Sequence, residues 1–275
     1  DASVVVDVAG ISFADGRGFA IVFYNALMTG VPLLLGVPVV KAAQALGPFQ
    51  TLPNKWLAPL VLRRVKTVCA RGARTRQHLD SLGGVNTVDV ADLAFSLDEA
   101  TSFPDAVSAA LDTIDKNFIV VMPSAVVRGI YESNGGNYVS AMAALVASIR
   151  HKTARSIVIA PHSYRAGLPE GRMNDGPVCR EVAEACSEDS QVLGLDFDLT
   201  AGELRHLVAH SSVLVTSRFH AMISGLATAT PTVVVGWSHK YKEVLDDFGL
   251  SFLGLESSAL HEPSAIADIV TSVLA

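Results

Sequence analysis

Short runs of aliphatic and β-branched residues recur along the chain: "SVVVDV", "FIVVM", "SIVIA", "VLVT" and "TVVVGW". They are continuous rather than alternating, which predicts parallel strands buried on both faces. Helical candidates fall between them. In a first series, a strand ends at Gly10. A helix over Gly18–Met28 follows, stopped near Gly30 and Pro32. Next come a strand in "PVVKAA", a loop in "ALGPFQTLP" and an amphipathic helix in "NKWLAPLVLRRV". The strand "KTVCA" runs into Arg71, and the helix "RTRQHLDSLG" is closed by Gly83 and Gly84. "VNTVDVADLAF" adds a short strand and loop.

The pattern then breaks. The acidic stretch from Ser96 to Lys116 is the linker candidate, with a short helix after Pro104. A second alternating series begins at "FIVVMPS". It continues with a helix over Tyr138–Arg150, whose apolar positions Met142, Leu145, Val146 and Ile149 are spaced three and four apart. After it come "SIVIAPH", the helix "GPVCREVAEAC" with Pro177 in its first turn, "QVLGL", the helix "TAGELRHLVAH", "VLVT", the helix "FHAMISGLATA" and "TVVVGW". Helices over Lys240–Phe248 and Pro263–Leu274 complete it. The "GLPEGRMND" segment reads as a mobile surface loop. Two βα series predict an α/β chain of two doubly wound, Rossmann-like domains. Their expected bounds are 1–100 and 117–275, with 101–116 as linker.

Composition changes this picture little. Half of the 275 residues are hydrophobic and 17% are charged. The most apolar window, Phe19–Ala43, is broken by Gly30, Pro32, Gly36, Pro38 and Lys41. It falls short of the roughly 20 unbroken apolar residues of a membrane span. A net charge of −6 without a basic stripe argues against nucleic acid as the main ligand. The three cysteines, Cys69, Cys179 and Cys186, are odd in number and fit neither a zinc nor a disulfide pattern. A reducing, cytoplasmic compartment is therefore expected. Asp1 opens directly onto a buried-type strand with no Met and no secretory signal, so an N-terminal portion of the first domain is expected to precede it.

In doubly wound folds ligands bind beyond the carboxyl ends of the strands. There the chain places Ser217 and Arg218, with Phe219 and His220 opening the next helix. A helix N-terminus attracts anions, arginine offers a planar fork for phosphate or carboxylate, and histidine exchanges protons near neutral pH. The small residues Ala221, Ser224, Gly225, Ala227 and Ala229 would let that helix lie close to the sheet. On spacing alone, a surface-capping arginine and a core histidine fit as well as an anion site. Other strand ends offer Arg128, which also fits a plain loop arginine, and His162 and Arg165. Lys240 and Lys242 read as solvated charges. GxGxxG after a strand, GxxxxGK[ST], GxSxG and HExxH are all absent. The acidic residues form no metal-ligating motif, and neither metal nor cofactor is expected.

The stretch "ELRHLVAHSSVLVTSRFHAMISGLATATPTVVVGWSHKYKEVLDDFGL" resembles the C-terminal signature of the polysaccharide pyruvyltransferase family. Its core is an Arg-Phe-His block between a strand and a helix of small residues. "DVAGISFAD", "PVVKAAQALGPF", "CARGARTRQHLDSLG" and "NDGPVCREVAE" resemble softer family segments. Gly72 and Thr75 depart from the family's preferences. The resemblance implies a GT-B-like fold and transfer of pyruvate from phosphoenolpyruvate onto two hydroxyls of a sugar, forming a ketal. It implies His220 as general acid, with Arg218, Phe219, Arg128, His162 and Lys242 on the donor side. Gly10, Gln44, Gly47, Pro48 and Arg71 would serve the acceptor side. The implied partners are phosphoenolpyruvate and a saccharide, lipid-linked or not, with peripheral membrane association allowed and no nucleic acid. Two rivals are a GT-B nucleotide-sugar glycosyltransferase and a non-catalytic partner in polysaccharide synthesis. The first is weakened because no acid suited to ribose stands at a strand end. The intact Arg-Phe-His block speaks against the second.

Overall fold

The computed structural model describes residues 2–236 and 239–274. It divides into two units, residues 1–95 and 96–275.

The first unit holds strands β1 (Val5–Asp7), β2 (Ile11–Ser12), β3 (Val39–Leu46), β4 (Thr67–Arg71) and β5 (Thr87–Val90). Its helices are α1 (Phe19–Leu34), α2 (Asn54–Leu62) and α3 (Ala73–Leu82). All pairings are parallel, in the order β1-β3-β4-β5, with β2 also on β3. The expected stop of α1 near Gly30 and Pro32 does not occur, for Pro32 lies inside the helix. The expected loop after Ala43 begins as strand instead, and β3 runs on to Leu46. A register shift between Lys41 and Gln44 makes room for this, with Ala43 at φ 40°.

That irregularity holds a polar group in the interior. Lys41 is fully buried; its Nζ donates to Asp7 Oδ2 at 2.6 Å and lies over the Phe13 ring. Ser12 Oγ donates to Gln44 Oε1 at 2.5 Å, and Gln44 Nε2 donates to the Asp7 carbonyl at 2.7 Å. Burial pushes the Asp7 carboxyl up, but hydrogen bonds from Lys41 and the Ala9 amide outweigh it and leave it below its ordinary value. A buried ammonium is tolerated only when paired in this way.

The second unit holds β6 (Phe118–Met122), β7 (Ser156–Ile159), β8 (Val192–Gly194), β9 (Leu214–Thr216), β10 (Thr232–Gly236) and β11 (Gly254–Glu256). Its helices are α4 (Asp105–Leu111), α5 (Ala125–Ser133), α6 (Tyr138–Thr153), α7 (Gly176–Ala185), α8 (Ala201–Ala209), α9 (Phe219–Ala227), α10 (His239–Asp247) and α11 (Pro263–Ser272). The sheet is wholly parallel in the order β8-β7-β6-β9-β10-β11. Renumbered from β6, this is 3-2-1-4-5-6, the doubly wound dinucleotide-fold order. Trp237, the expected last residue of β10, lies outside the described residues.

The apolar runs explain this sheet. Every residue of β6, β7, β9 and β10 is buried. Alternate side chains enter two cores. Ile119, Val121, Ile157, Ile159, Val215 and Val233 pack on one face, and Val120, Met122, Val158 and Leu214 on the other. Met142, Leu145, Val146 and Ile149 of α6 join the first core at the anticipated spacing. Val107, Leu111 and Ile114 join the second. Residues 101–116, expected as linker, thus contribute to the core of the second unit.

Candidate active site

In the second sheet the strand order reverses between β6 and β9. At such a switch point two neighbouring connections diverge to opposite faces and leave a crevice beyond the carboxyl ends of the strands. Two helices begin there. Ser124 caps α5, its hydroxyl accepting from the Val126 amide at 3.2 Å. Arg218 is the N-cap of α9 and has no acceptor atom with which to cap it. The Ser217 amide donates to the Met122 carbonyl at 3.1 Å, and the Tyr241 hydroxyl donates to the Ser217 carbonyl at 3.1 Å. The Phe219 ring stands edge-on to Tyr241 at 5.7 Å and to His220 at 5.4 Å.

The residue that organises this crevice is Asp175. It is fully buried. Its carboxylate accepts from the Ala125 amide at 2.9 Å, the Ser163 amide at 3.2 Å and Arg218 Nε at 2.7 Å, and also from Arg218 Nη2. One side chain therefore ties the loops after β6, β7 and β9 together. Burial nevertheless leaves its pKa raised, against the lowering by Arg218 and the two amides. Arg218 Nη1 donates to the Arg172 carbonyl at 3.0 Å. Three of its five N–H groups are spent on the protein, which fixes the guanidinium plane.

Asp175 was not anticipated. The segment expected as a mobile surface loop ends in two buried residues, Asn174 and Asp175. Asn174 Nδ2 donates to the carbonyls of Arg165, Leu168 and Pro169, while its Oδ1 accepts from the amides of Arg165 and Gly176. The loop is thereby closed on itself. It borders a cavity of about 560 Å³ whose wall includes Tyr164, Arg165, Glu170 and Arg180.

Of the donor-side candidates, His162, Arg218 and His220 share one neighbourhood. Surrounding protein, then the charges of His220 and Arg218, push the His162 imidazole down to about 3. Arg128 is engaged elsewhere. Its Nε meets Glu132 at 3.1 Å and its Nη1 meets Glu170 and Glu181, each at 2.9 Å. The hydrogen bond it donates to Glu181, with all three carboxylates, raises its pKa despite the cost of burial. Three carboxylates on one guanidinium leave a negative local balance around it. Lys242 is exposed on α10.

In the first unit, Gly10 precedes β2, Gly47 and Pro48 follow β3, and Arg71 ends β4. Gln44 is buried and spends both ends of its amide inside the protein. Gly47 has φ +87°, and a Cβ there would collide with His78. Arg71 Nη1 pairs with Asp92 Oδ2 at 2.5 Å. Gly10 and Pro48 are exposed.

A family model described as polysaccharide pyruvyl transferase matches residues 2–239. The chain belongs to the polysaccharide pyruvyl transferase family. This polysaccharide pyruvyl transferase homologue has no match among curated proteins. It is similar in structure to S. aureus MnaA, solved with UDP, at TM-score 0.60 and 13% identity over 99% of this chain and 68% of that one. A protein described as UDP-N-acetylglucosamine 2-epimerase from Listeria monocytogenes gives TM-score 0.63 and 10% identity, with 99% and 67% covered. A trehalose-6-phosphate protein from E. coli, bound with UDP-2-fluoro glucose, gives 0.55 and 13%, with 90% and 64% covered. At these identities the likeness establishes the fold, which is GT-B-like.

Proposed function

We propose that this member of the family transfers the pyruvyl group of phosphoenolpyruvate to two hydroxyls of a saccharide. The observation that carries the reading is the Arg218-Phe219-His220 block at the switch point, with Arg218 held in a fixed plane by Asp175. Phosphoenolpyruvate is a small trianion. Arg218 and the N-terminus of α9 suit its phosphate or carboxylate. Arg165, on the wall of the neighbouring cavity, is a further cation within the same loop system.

In the reaction, His220 protonates the methylene carbon of the enol and makes C2 electrophilic. One sugar hydroxyl adds to C2 and gives up its proton. Phosphate leaves with the C2–O electron pair, and a second hydroxyl closes the ketal. Of the two hydroxyl protons released, one replaces the proton given to the methyl group and the other leaves on phosphate. His162, held neutral, adds no charge and leaves Arg218 and protonated His220 to balance the donor.

The test is phosphate release from phosphoenolpyruvate in the presence of a saccharide pool. His220→Ala should slow turnover about 100-fold or more, the range for loss of a general acid. Arg218→Lys keeps the charge but loses the fork, and should raise KM for phosphoenolpyruvate about tenfold or more. Parental rates in both variants would sink the assignment. Thermal stabilisation by UDP- or GDP-sugars but not by phosphoenolpyruvate would instead favour a nucleotide-sugar transferase. Silence to all of them would favour a non-catalytic role.

A further inference from the structure

Helix α8 carries His206 in its last turn and His210 immediately after it, four residues apart and on one face. Glu99, 107 positions upstream of His206, comes back against them. One ligand atom from each of the three lies within 4.8 Å of the others.

The hydrogen bonds determine which nitrogens are available. His210 Nδ1 meets the His206 carbonyl at 2.9 Å, and His206 Nδ1 meets Glu99 Oε1 at 2.8 Å. Both partners are acceptors only, so each Nδ1 carries the hydrogen when the ring is neutral. The lone pair of His210 is therefore on Nε2, which among the described residues has no hydrogen-bond partner. At His206 the proton lies between Nδ1 and Glu99 Oε1, and a cation that takes its place meets a ring nitrogen and a carboxylate oxygen 2.8 Å apart. An imidazole whose Nδ1–H is fixed by a carbonyl, as in His210, is an arrangement in which histidine ligates metals through Nε2. Phe103 backs both rings, at 4.5 Å from His206 and 6.4 Å from His210.

The electrostatics suit a dication. The carbonyl end of α8 favours positive charge. Asp98 and Glu99 both act on Arg205, whose Nη1 holds the Leu97 carbonyl. Two carboxylates against one guanidinium leave one negative charge in excess beside the imidazoles.

We propose that His206, His210 and Glu99 form a site for a borderline divalent cation of the zinc class, distinct from the switch-point crevice. Two nitrogens and one carboxylate oxygen, with water as the fourth ligand, match the donors such ions take. Tetrahedral zinc needs ligand atoms about 3.3 Å apart. The side chains of Glu99 and His210 are exposed and can close that gap by rotation. The site is structural in character. It would pin the segment from Leu97 to Phe103 onto α8, where the Ala100 amide already donates to the Gly202 carbonyl at 3.1 Å.

The experiment is calorimetric titration of the full chain with zinc chloride, alongside His206→Ala, His210→Ala and Glu99→Gln variants and thermal unfolding with and without zinc. The parent should bind one equivalent at this site and unfold at a higher temperature with zinc. Each histidine variant should bind at least tenfold more weakly and lose the thermal shift. Glu99→Gln should weaken binding about tenfold or more, since it removes the anionic ligand. No binding by the parent, or parental affinity in the histidine variants, overturns the site. Parental affinity in Glu99→Gln removes the carboxylate from it and so overturns it as drawn. Turnover of phosphoenolpyruvate is not read, so this outcome stands apart from that of the proposed reaction.

Discussion

The carboxylate of Asp175 decides what Arg218 can do. An arginine beside a buried aspartate is no longer a mobile surface cation; its plane is set. His162 lies in the same field, and its behaviour can be read from outside. Its folded value of about 3 lies below the 6.5 of an unperturbed imidazole. Between those limits the unfolded chain binds more protons than the folded one. The contribution of His162 to stability is therefore fully present above pH 6.5 and is lost progressively as pH falls toward 3. Asp175, shifted upward, works in the opposite sense above 3.8, so the parent curve alone mixes the two. The difference between the parent and His162→Asn isolates the histidine. The variant should show a shallower loss of stability between pH 6.5 and 4 in chemical denaturation. Parallel curves would show that His162 titrates normally in the folded chain. Arg218 and His220 were legible in the sequence because strand ends can be counted. Asp175 was not. It lies 43 positions before Arg218, in a glycine-rich polar segment, and only the closure of that segment by Asn174 carries it inside.

Helix α9 brings the Arg-Phe-His block to the crevice by lying unusually close to the sheet. A Cβ on Gly225 would collide with Thr232 Oγ1 of β10 and come within 3.2 Å of Leu214. Thr232 cannot turn aside freely, because its hydroxyl donates to the Thr230 carbonyl at 2.8 Å. Gly225→Ala gains about 1 kcal/mol of helix propensity. Overpacking costs about 1–3 kcal/mol and also tilts the helix whose first turn holds Phe219 and His220. The expected net result is a loss of about 1 kcal/mol by denaturation, with weaker binding of phosphoenolpyruvate. A variant as stable as the parent would show that the helix and sheet are not in contact there. The run of small residues made this closeness readable, as the apolar runs made the strands of the second sheet readable. One helix and the full extent of another were less readable. Helix α5 is short and follows directly on β6, and its capping serine looked like part of a loop. Helix α1 continues through Pro32, because the apolar residues on either side extend a helix that proline alone does not end. It also exposes Phe19, Phe23, Tyr24, Leu27, Met28 and Leu34, so its periodicity gave little sign of which face packs inward.

At the scale of the molecule, what pure periodicity could not reveal is the order of the strands. Alternation of strand and helix predicts a parallel sheet, yet the reversal between β6 and β9 depends on long-range pairing, such as Val120 with Leu214 and Val121 with Val215. That reversal makes the crevice, and every residue around Asp175 belongs to the second unit. The same unit has a complete six-stranded sheet and apolar cores on both of its faces. Its core also takes in Val107 and Leu111 of α4, so its folded boundary is residue 96 rather than 117. A polypeptide of residues 96–275 should therefore unfold cooperatively by itself, whereas one beginning at 117 would lose α4 and uncover the face of Val120 and Met122. If the donor anion is held by Arg218, His220 and the start of α9, the shorter chain should retain that binding without any residue of the first unit. Saturation to about 100 times Kd adds about 2.7 kcal/mol to stability. For a domain of this size, that is a rise in melting temperature of roughly 5–10 °C. Phosphoenolpyruvate should produce such a rise in the 96–275 polypeptide and, at the same concentration, about half of it or less in its Arg218→Lys variant. A cooperative fold with no response to phosphoenolpyruvate, beside a responsive full chain, would mean that donor binding requires the first unit, and the assignment of the anion site to the switch point alone would fail.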